Sequence, residues 1–175
     1  MPGTRQVCTG MTTGTTDPRF SHPAASAPAW ADVERLLGAA ELYWLTTVRV
    51  DGRPHTTPLV GVWHDGAFAF CTSVGEQKHL NLWHSGRVTV VTGRNDWRAG
   101  TDVVVEGTAH RVVGRDRLEP LAAAWRSKYA DDWDWQADDE GFIAGDGSDP
   151  HVYVVPPAKV IAFGKDPHAQ TTYRF

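Results

Sequence analysis

The chemistry of this chain is concentrated in one short run, Phe70-Cys71-Thr72-Ser73-Val74-Gly75-Glu76-Gln77-Lys78. A strand-like stretch over 67–71 gives way to Ser73-Val74-Gly75-Glu76. That is the spacing of a capping box, with Ser73 as N-cap and Glu76 three residues on. A short helix over 75–83 is therefore expected, burying Leu80 and Trp83. The first amides of such a helix lack partners, and its dipole is positive there. Thr72 and Ser73 add hydroxyls and Lys78 adds a charge one turn in, so Thr72, Ser73, Gln77 and Lys78 have the make-up of a phosphate clamp. The same spacing also describes an ordinary capped helix with a solvated lysine.

Other chemistry has less to stand on. His55, His64, His79, His84, His110, His151 and His168 contain no pair at the spacing that puts two imidazoles on one helix face. His79 and His84 are five apart, which separates them by about 140° on a helix. No metal site is expected. The acidic stretch 131–149 lacks the ligand order of a calcium hand. It reads as a solvated loop, or as a lid with Trp133 or Trp135 closing over a ring system. No Gly-x-Ser-x-Gly, Walker loop or dinucleotide fingerprint occurs. A chain without a nucleophile motif or a poised carboxylate pair suits cofactor chemistry, in which the cofactor reacts and the protein orients it.

The elements that must hold these residues read mainly as short strands. Val48 and Val50 alternate with Arg49 before the turn signal Asp51-Gly52. A first hairpin is expected from 43–50 and 54–62, a third strand at 67–71, then the helix, then strands at 88–92 and 101–113. Gly107 inside the last of these marks a bulge or a close backbone approach. Trp30, Val33, Leu36 and Leu37 give one amphipathic helix, and Leu118, Leu121, Ala122, Trp125 and Tyr129 give another. Strands at 152–155 and 159–163, broken by Pro156-Pro157, are expected last. Many short strands with three helices argue for a closed antiparallel barrel.

Bulk properties set the outer limits. At 175 residues the chain suits one domain with a real core. A net charge of -4 gives no hint of a nucleic-acid partner. No apolar run is long enough to span a bilayer, and the first residues lack the order of a secretory signal. Cys8 and Cys71 make no disulfide framework and fit a reducing cytoplasm. Residues 1–28 are rich in Thr, Ser, Ala, Gly and Pro, so a disordered tail or a surface arm is expected there, with one domain over 29–175.

Four pieces in order, YWLTTVRVDGRPHTTPLVGVW, FAFCTSVGEQKHLNL, VVVEGTAHRV and VYVVPPAKVIAFGKDPHAQTTYRF, resemble the pyridoxamine 5'-phosphate oxidase-like split-barrel superfamily. Within it the chain is most similar to the actinobacterial flavin/deazaflavin-dependent oxidoreductases. The resemblance implies an FMN-binding type of split β-barrel, assembled as a homodimer with the cofactor at the subunit interface. It implies that Thr57, Pro58, Leu59 and Val60 lie along the isoalloxazine or deazaflavin ring. Thr72, Ser73, Gln77, Lys78 and Asn81 would hold the phosphate, and Arg174 near the chain end would meet cofactor or substrate, or pin the last residues. Many deazaflavin-binding relatives carry Arg or a second Lys where this chain has Glu76-Gln77. The implied activity is hydride transfer between the deazaflavin coenzyme F420, or FMN, and a small conjugated organic acceptor. The alternative is a non-catalytic barrel that binds a flavin or another planar ligand. The carboxyl end lacks a match to the substrate-binding segment of pyridoxamine phosphate oxidase itself.

Overall fold

A computed structural model of the chain describes residues 12–145 and 147–175. Of residues 1–28, expected to form a disordered tail or a surface arm, 1–11 lie outside the described residues. From there the chain runs along a sheet edge. Strand β1 (Thr15–Thr16) pairs with Thr171 and Thr172, and the amides of Asp17 and His22 donate to the carbonyls of Gln170 and His168. Helix α1 (Trp30–Ala39) follows and buries Val33 and Leu37.

Strands β2 (Tyr43–Val48) and β3 (Pro54–Leu59) form the first hairpin, in register from Tyr43↔Leu59 to Val48↔Pro54. The turn between them uses Gly52 at φ 84°, a conformation open to glycine at little cost. The strand expected over 54–62 is in fact two. The ladder stops at Leu59 and resumes in β4 (Val62–His64), which belongs to another sheet. Gly61 lies at the crossing because nothing larger fits. A Cβ there would meet Phe68 Cζ at 2.5 Å and the Ala69 carbonyl oxygen at 2.7 Å.

The remaining order is β5 (Ala67–Thr72), α2 (Gln77–His84), β6 (Arg87–Thr92), β7 (Thr101–Thr108), β8 (His110–Val112), α3 (Arg115–Tyr129), β9 (Gln136–Ala137), β10 (Phe142–Ile143), β11 (His151–Val155), β12 (Pro157–Lys165) and β13 (His168–Arg174). Strand β13 is absent from the sequence reading, which ends the strands at Phe163. The alternation of Ala169, Thr171 and Tyr173 is there, but threonine in place of an aliphatic residue weakens the signal. Near Gly107 both expectations are met. A Cβ would lie 2.5 Å from the Pro156 carbonyl oxygen, and the register of β12 slips between Pro157 and Lys159 opposite it.

The described residues are mainly β with three α-helices. The described strands do not close into one hydrogen-bonded barrel. They form a seven-stranded sheet in the order β1-β13-β12-β7-β6-β2-β3, a four-stranded sheet β4-β5-β11-β8, and the small β9-β10 hairpin. The faces of the two larger sheets share one apolar core, which includes Tyr43, Leu45, Phe68, Phe70, Val90, Val105, Val160 and Tyr173, with α1 packed against it. The outer face of the four-stranded sheet is also covered. Val62, Ala69 and Val152 meet Leu118, Leu121 and Trp125 of α3, and Phe142 of the hairpin. The face predicted for α3 is therefore the buried one. Covering on both sides explains why Phe68-Ala69-Phe70 reads as a continuous apolar run.

Helix α2 corrects the sequence reading. It starts at Gln77, and its inward face is polar: Lys78, His79 and Asn81 are buried. Leu80 and Trp83 are 55% and 78% exposed. Inward side chains are satisfied by specific partners. Asn81 Nδ2 donates to Thr47 Oγ1 at 2.8 Å, and His79 Nε2 accepts the Trp83 indole N–H at 2.8 Å. With polar groups thus paired the burial is affordable, and the apolar side chains are left facing out.

Candidate functional site

A cleft of about 910 Å³ opens where the chain leaves the seven-stranded sheet, within the range for small-molecule sites. Leu42, Pro58, Leu59 and Val60 supply apolar surface to it, and Cys71, Thr72 and Ser73 at the end of β5 supply another part. Trp133, Trp135 and Ile143 come from the acidic stretch, and Pro150 directly follows it.

That stretch has structure of its own. Asp138 Oδ1 accepts from the amides of Glu140 and Gly141 at 2.7 and 2.9 Å and so turns the β9-β10 hairpin. These two bonds hold its carboxyl below the usual range. Trp135 stacks on Phe142 at 5.5 Å, and Trp133 lies 5.5 Å from Trp135. In place of the solvated loop there is an aromatic wall packed on the α3 core, and it puts Trp133 and Trp135, the residues of the lid reading, at the cleft. Its three aromatic residues, Trp133, Trp135 and Phe142, carry no period that could announce a wall.

The crossing at Val60-Gly61 has no ladder partner, so α3 holds it instead. Lys128 Nζ donates to the Gly61 carbonyl at 2.9 Å and to Tyr43 Oη at 2.8 Å. Tyr129 Oη accepts the Gly61 N–H at 3.2 Å and lies 2.8 Å from its carbonyl oxygen. Burial brings the Lys128 ammonium down to about 8, with the Glu41 charge opposing. Sequence reading missed this pair of anchors. Only Tyr129 was singled out, and as a core residue.

Of the ten expected site residues, Pro58, Leu59, Val60, Thr72, Ser73 and Lys78 line the cleft. Thr57 does not, and its Oγ1 is buried with no hydrogen-bond partner, as is His55 Nδ1. Gln77 and Asn81 turn toward β2. Gln77 Nε2 donates to Asn81 Oδ1 at 2.8 Å, and Arg49 reaches Gln77 Oε1 at 3.4 Å. Arg174 is exposed at the end of β13, beside Thr15, Thr16 and Asp17, away from the cleft. Arg94 and Arg98 line a different hollow with Trp97 and Lys165.

Ser73 does not cap α2. The N-cap is Glu76, and Ser73 begins the turn before it. Half of the capping box survives, with the Ser73 amide donating to Glu76 Oε2 at 2.9 Å. Thr72 Oγ1 donates to the same oxygen at 2.7 Å, and Lys78 Nζ reaches Glu76 Oε1 at 2.6 Å. Burial opposes ionisation of Glu76, but these three bonds outweigh it and hold the carboxyl below its ordinary value. Burial pushes the Cys71 thiol up to about 12. Among the described residues no group of three potential ligands is placed to hold a metal ion.

The sequence model described as pyridoxamine 5'-phosphate oxidase matches residues 29–161. Three solved structures illustrate the fold. A haem-binding protein of Mycobacterium smegmatis superposes with a TM-score of 0.66 at 21% identity, over 85% of this chain and 60% of its own. This chain therefore spans less than two thirds of that protein. A candidate pyridoxamine 5'-phosphate oxidase of Listeria innocua gives 0.58 at 16% identity, over 75% of this chain and 95% of its own. An FAD-binding protein of Mycobacterium smegmatis gives 0.50 at 21%, over 86% and 97%. No curated protein sequence matches the chain. No helix among the described residues is long and apolar enough to cross a membrane.

Proposed function

The chain belongs to the pyridoxamine 5'-phosphate oxidase family, and on that premise we propose that its cleft binds the ring of a flavin or deazaflavin. The protein is then an oxidoreductase that passes a hydride between that ring and a small conjugated organic acceptor. One observation carries the reading: the Pro58–Val60 crossing and the Trp133-Trp135 wall line a single cleft. A cleft of this size with apolar and aromatic walls suits a tricyclic ring. F420 first and FMN second are the cofactors that the resemblance of the four sequence pieces implies, whereas the cleft walls themselves support the ring alone.

The ring, when bound, supplies the redox chemistry. The chain's own residues bind, orient and shield. Lys128 and Tyr129 fix the Gly61 backbone and with it the Leu59-Val60 surface. Trp133 and Trp135 exclude water from the other side. Leu80 and Trp83, exposed on α2, support the homodimer that the family resemblance implies.

The competing reading is a planar-ligand binder without turnover. It is favoured by the described cleft side chains, which include no pair of groups set up for acid–base work. Titration of the protein with riboflavin, FMN and the deazaflavin, followed by ring absorbance and tryptophan quenching, tests the site. Steady-state turnover with reduced cofactor and an enone or quinone acceptor separates the two readings. Binding without turnover over a broad acceptor panel sinks the oxidoreductase.

A further inference from the structure

Resting on the flavin-ring reading of the cleft, we propose that Glu76 is a built-in occupant of the anion position and that the cleft selects ring ligands lacking a phosphate. The ligand class is a planar aromatic ring with a neutral, hydroxyl-rich tail, of which riboflavin is the simplest probe.

Three donors that would serve a phosphate converge on one carboxylate. Thr72 Oγ1 and the Ser73 amide both bond Glu76 Oε2, at 2.7 and 2.9 Å, and Lys78 Nζ bonds Oε1 at 2.6 Å. The hydroxyl and the amide each have one hydrogen, and both are committed. The Lys78 side chain is only 10% exposed, and Thr72 is 2% exposed. Neither is free to swing toward a second anion while the carboxylate stays. A phosphate would have to displace Glu76 from all three donors and sit beside its negative charge, which disfavours the phosphate.

The rest of the cleft has the same sign. Its charged lining is Glu76, Asp132 and Asp134 against Lys78. Arg126 offsets Asp134 only in part, at 3.9 Å with both groups partly exposed. Such a lining repels a phosphomonoester, and repels an acidic tail more. Hydroxyl groups, in contrast, donate to carboxylates and gain from them. A purely structural Glu76, serving the turn before α2, predicts something different. Its replacement would change stability and leave the choice among ligands untouched.

The test compares riboflavin with FMN on the full chain, wild type and Glu76→Gln, by fluorescence titration at fixed ionic strength. Glutamine keeps an acceptor for Thr72 and Ser73, and thermal unfolding confirms the fold. The expected result is wild-type protein that binds riboflavin roughly tenfold more tightly than FMN, a difference of one charged hydrogen-bonding group. Glu76→Gln should gain roughly tenfold for FMN, with riboflavin unchanged. The wild-type comparison stands even if the variant is unstable. Wild-type preference for FMN, or equal binding of both, overturns the inference and leaves the ring site intact. So does FMN affinity lost in Arg49→Ala and unmoved by Glu76→Gln, which puts the phosphate on the far side of α2. Failure of every ring ligand to bind either protein overturns the ring site and the inference together.

Discussion

Lys78 looks like a free cation in the sequence and is a committed one in the structure. Its charge is already paired with Glu76 at 2.6 Å. The pair is partly exposed, with Glu76 at 46%, so its worth is that of a weak ion pair. Lys78→Met should cost about 1 kcal/mol, or roughly 2–4 °C in Tm for a chain of this size. An unchanged melting curve would show the pair to be idle. The pH dependence has a definite sign. The Glu76 carboxyl is held below its ordinary value of 4.5, so its contribution is present above that pH and is lost as pH falls through the folded value. Lys128 acts at the other end of the scale. Its folded value near 8 lies below the ordinary 10.5. Between the two the unfolded chain holds the extra proton, so stability rises with pH across that window. Urea midpoints measured from pH 7.5 to 9.5 should climb in the wild type and stay flat in Lys128→Met. Equal slopes in the two proteins would mean that burial of the ammonium costs nothing.

At the scale of elements, two glycines should respond in opposite directions to the same substitution. Gly61→Ala puts a Cβ 2.7 Å from the Ala69 backbone oxygen, which cannot move aside as a side-chain tip can. Overpacking of this kind costs about 1–3 kcal/mol. The variant should melt lower and bind ring ligands more weakly, since Leu59 and Val60 shift with the crossing. Gly38→Ala, inside α1 with nothing within 4 Å of the new carbon, should gain about 0.5–1 kcal/mol from helix propensity. Paired thermal scans check both. A melting point for Gly61→Ala at or above that of Gly38→Ala would contradict the close approach. Helix α2 shows why element boundaries were hard to place. Its capping-box letters are present, but Ser73 and Glu76 serve a turn one step earlier. A four-residue signature cannot tell the turn before a helix from the helix's first turn.

For the whole molecule, the outward Leu80 and Trp83 are the feature to explain. Apolar side chains turned outward on an element whose polar side is buried suit a second copy of the chain. Light scattering at micromolar concentration should return twice the 19.2 kDa chain mass. The Leu80→Glu, Trp83→Ser double variant should return the monomer value. A dimer that persists in this variant places the interface elsewhere, and a monomeric wild type that binds ring ligands removes the need for one.

Short strands, turn glycines and the α3 stripe are local patterns, and they were legible because each is repeated within its own segment. Asp51-Gly52 turns where its letters say, with Gly52 at positive φ. The cleft wall at Pro58–Val60 was named from resemblance, and Thr72, Ser73 and Lys78 from spacing. What tertiary structure decided is who meets whom. Sequence places Glu76 between Ser73 and Lys78, but only the folded turn brings its carboxylate onto both of them and Thr72. Period and propensity assigned Leu80 and Trp83 inward; long-range hydrogen bonds from Asn81 to Thr47 and between His79 and Tyr153 turned the other face in. The acidic stretch became an aromatic wall because Phe142 packs on Trp125 of α3 and Trp135 stacks on Phe142. Contacts between residues distant in the chain leave no mark in the periodicity of either segment, and those contacts set which side chains face the cleft.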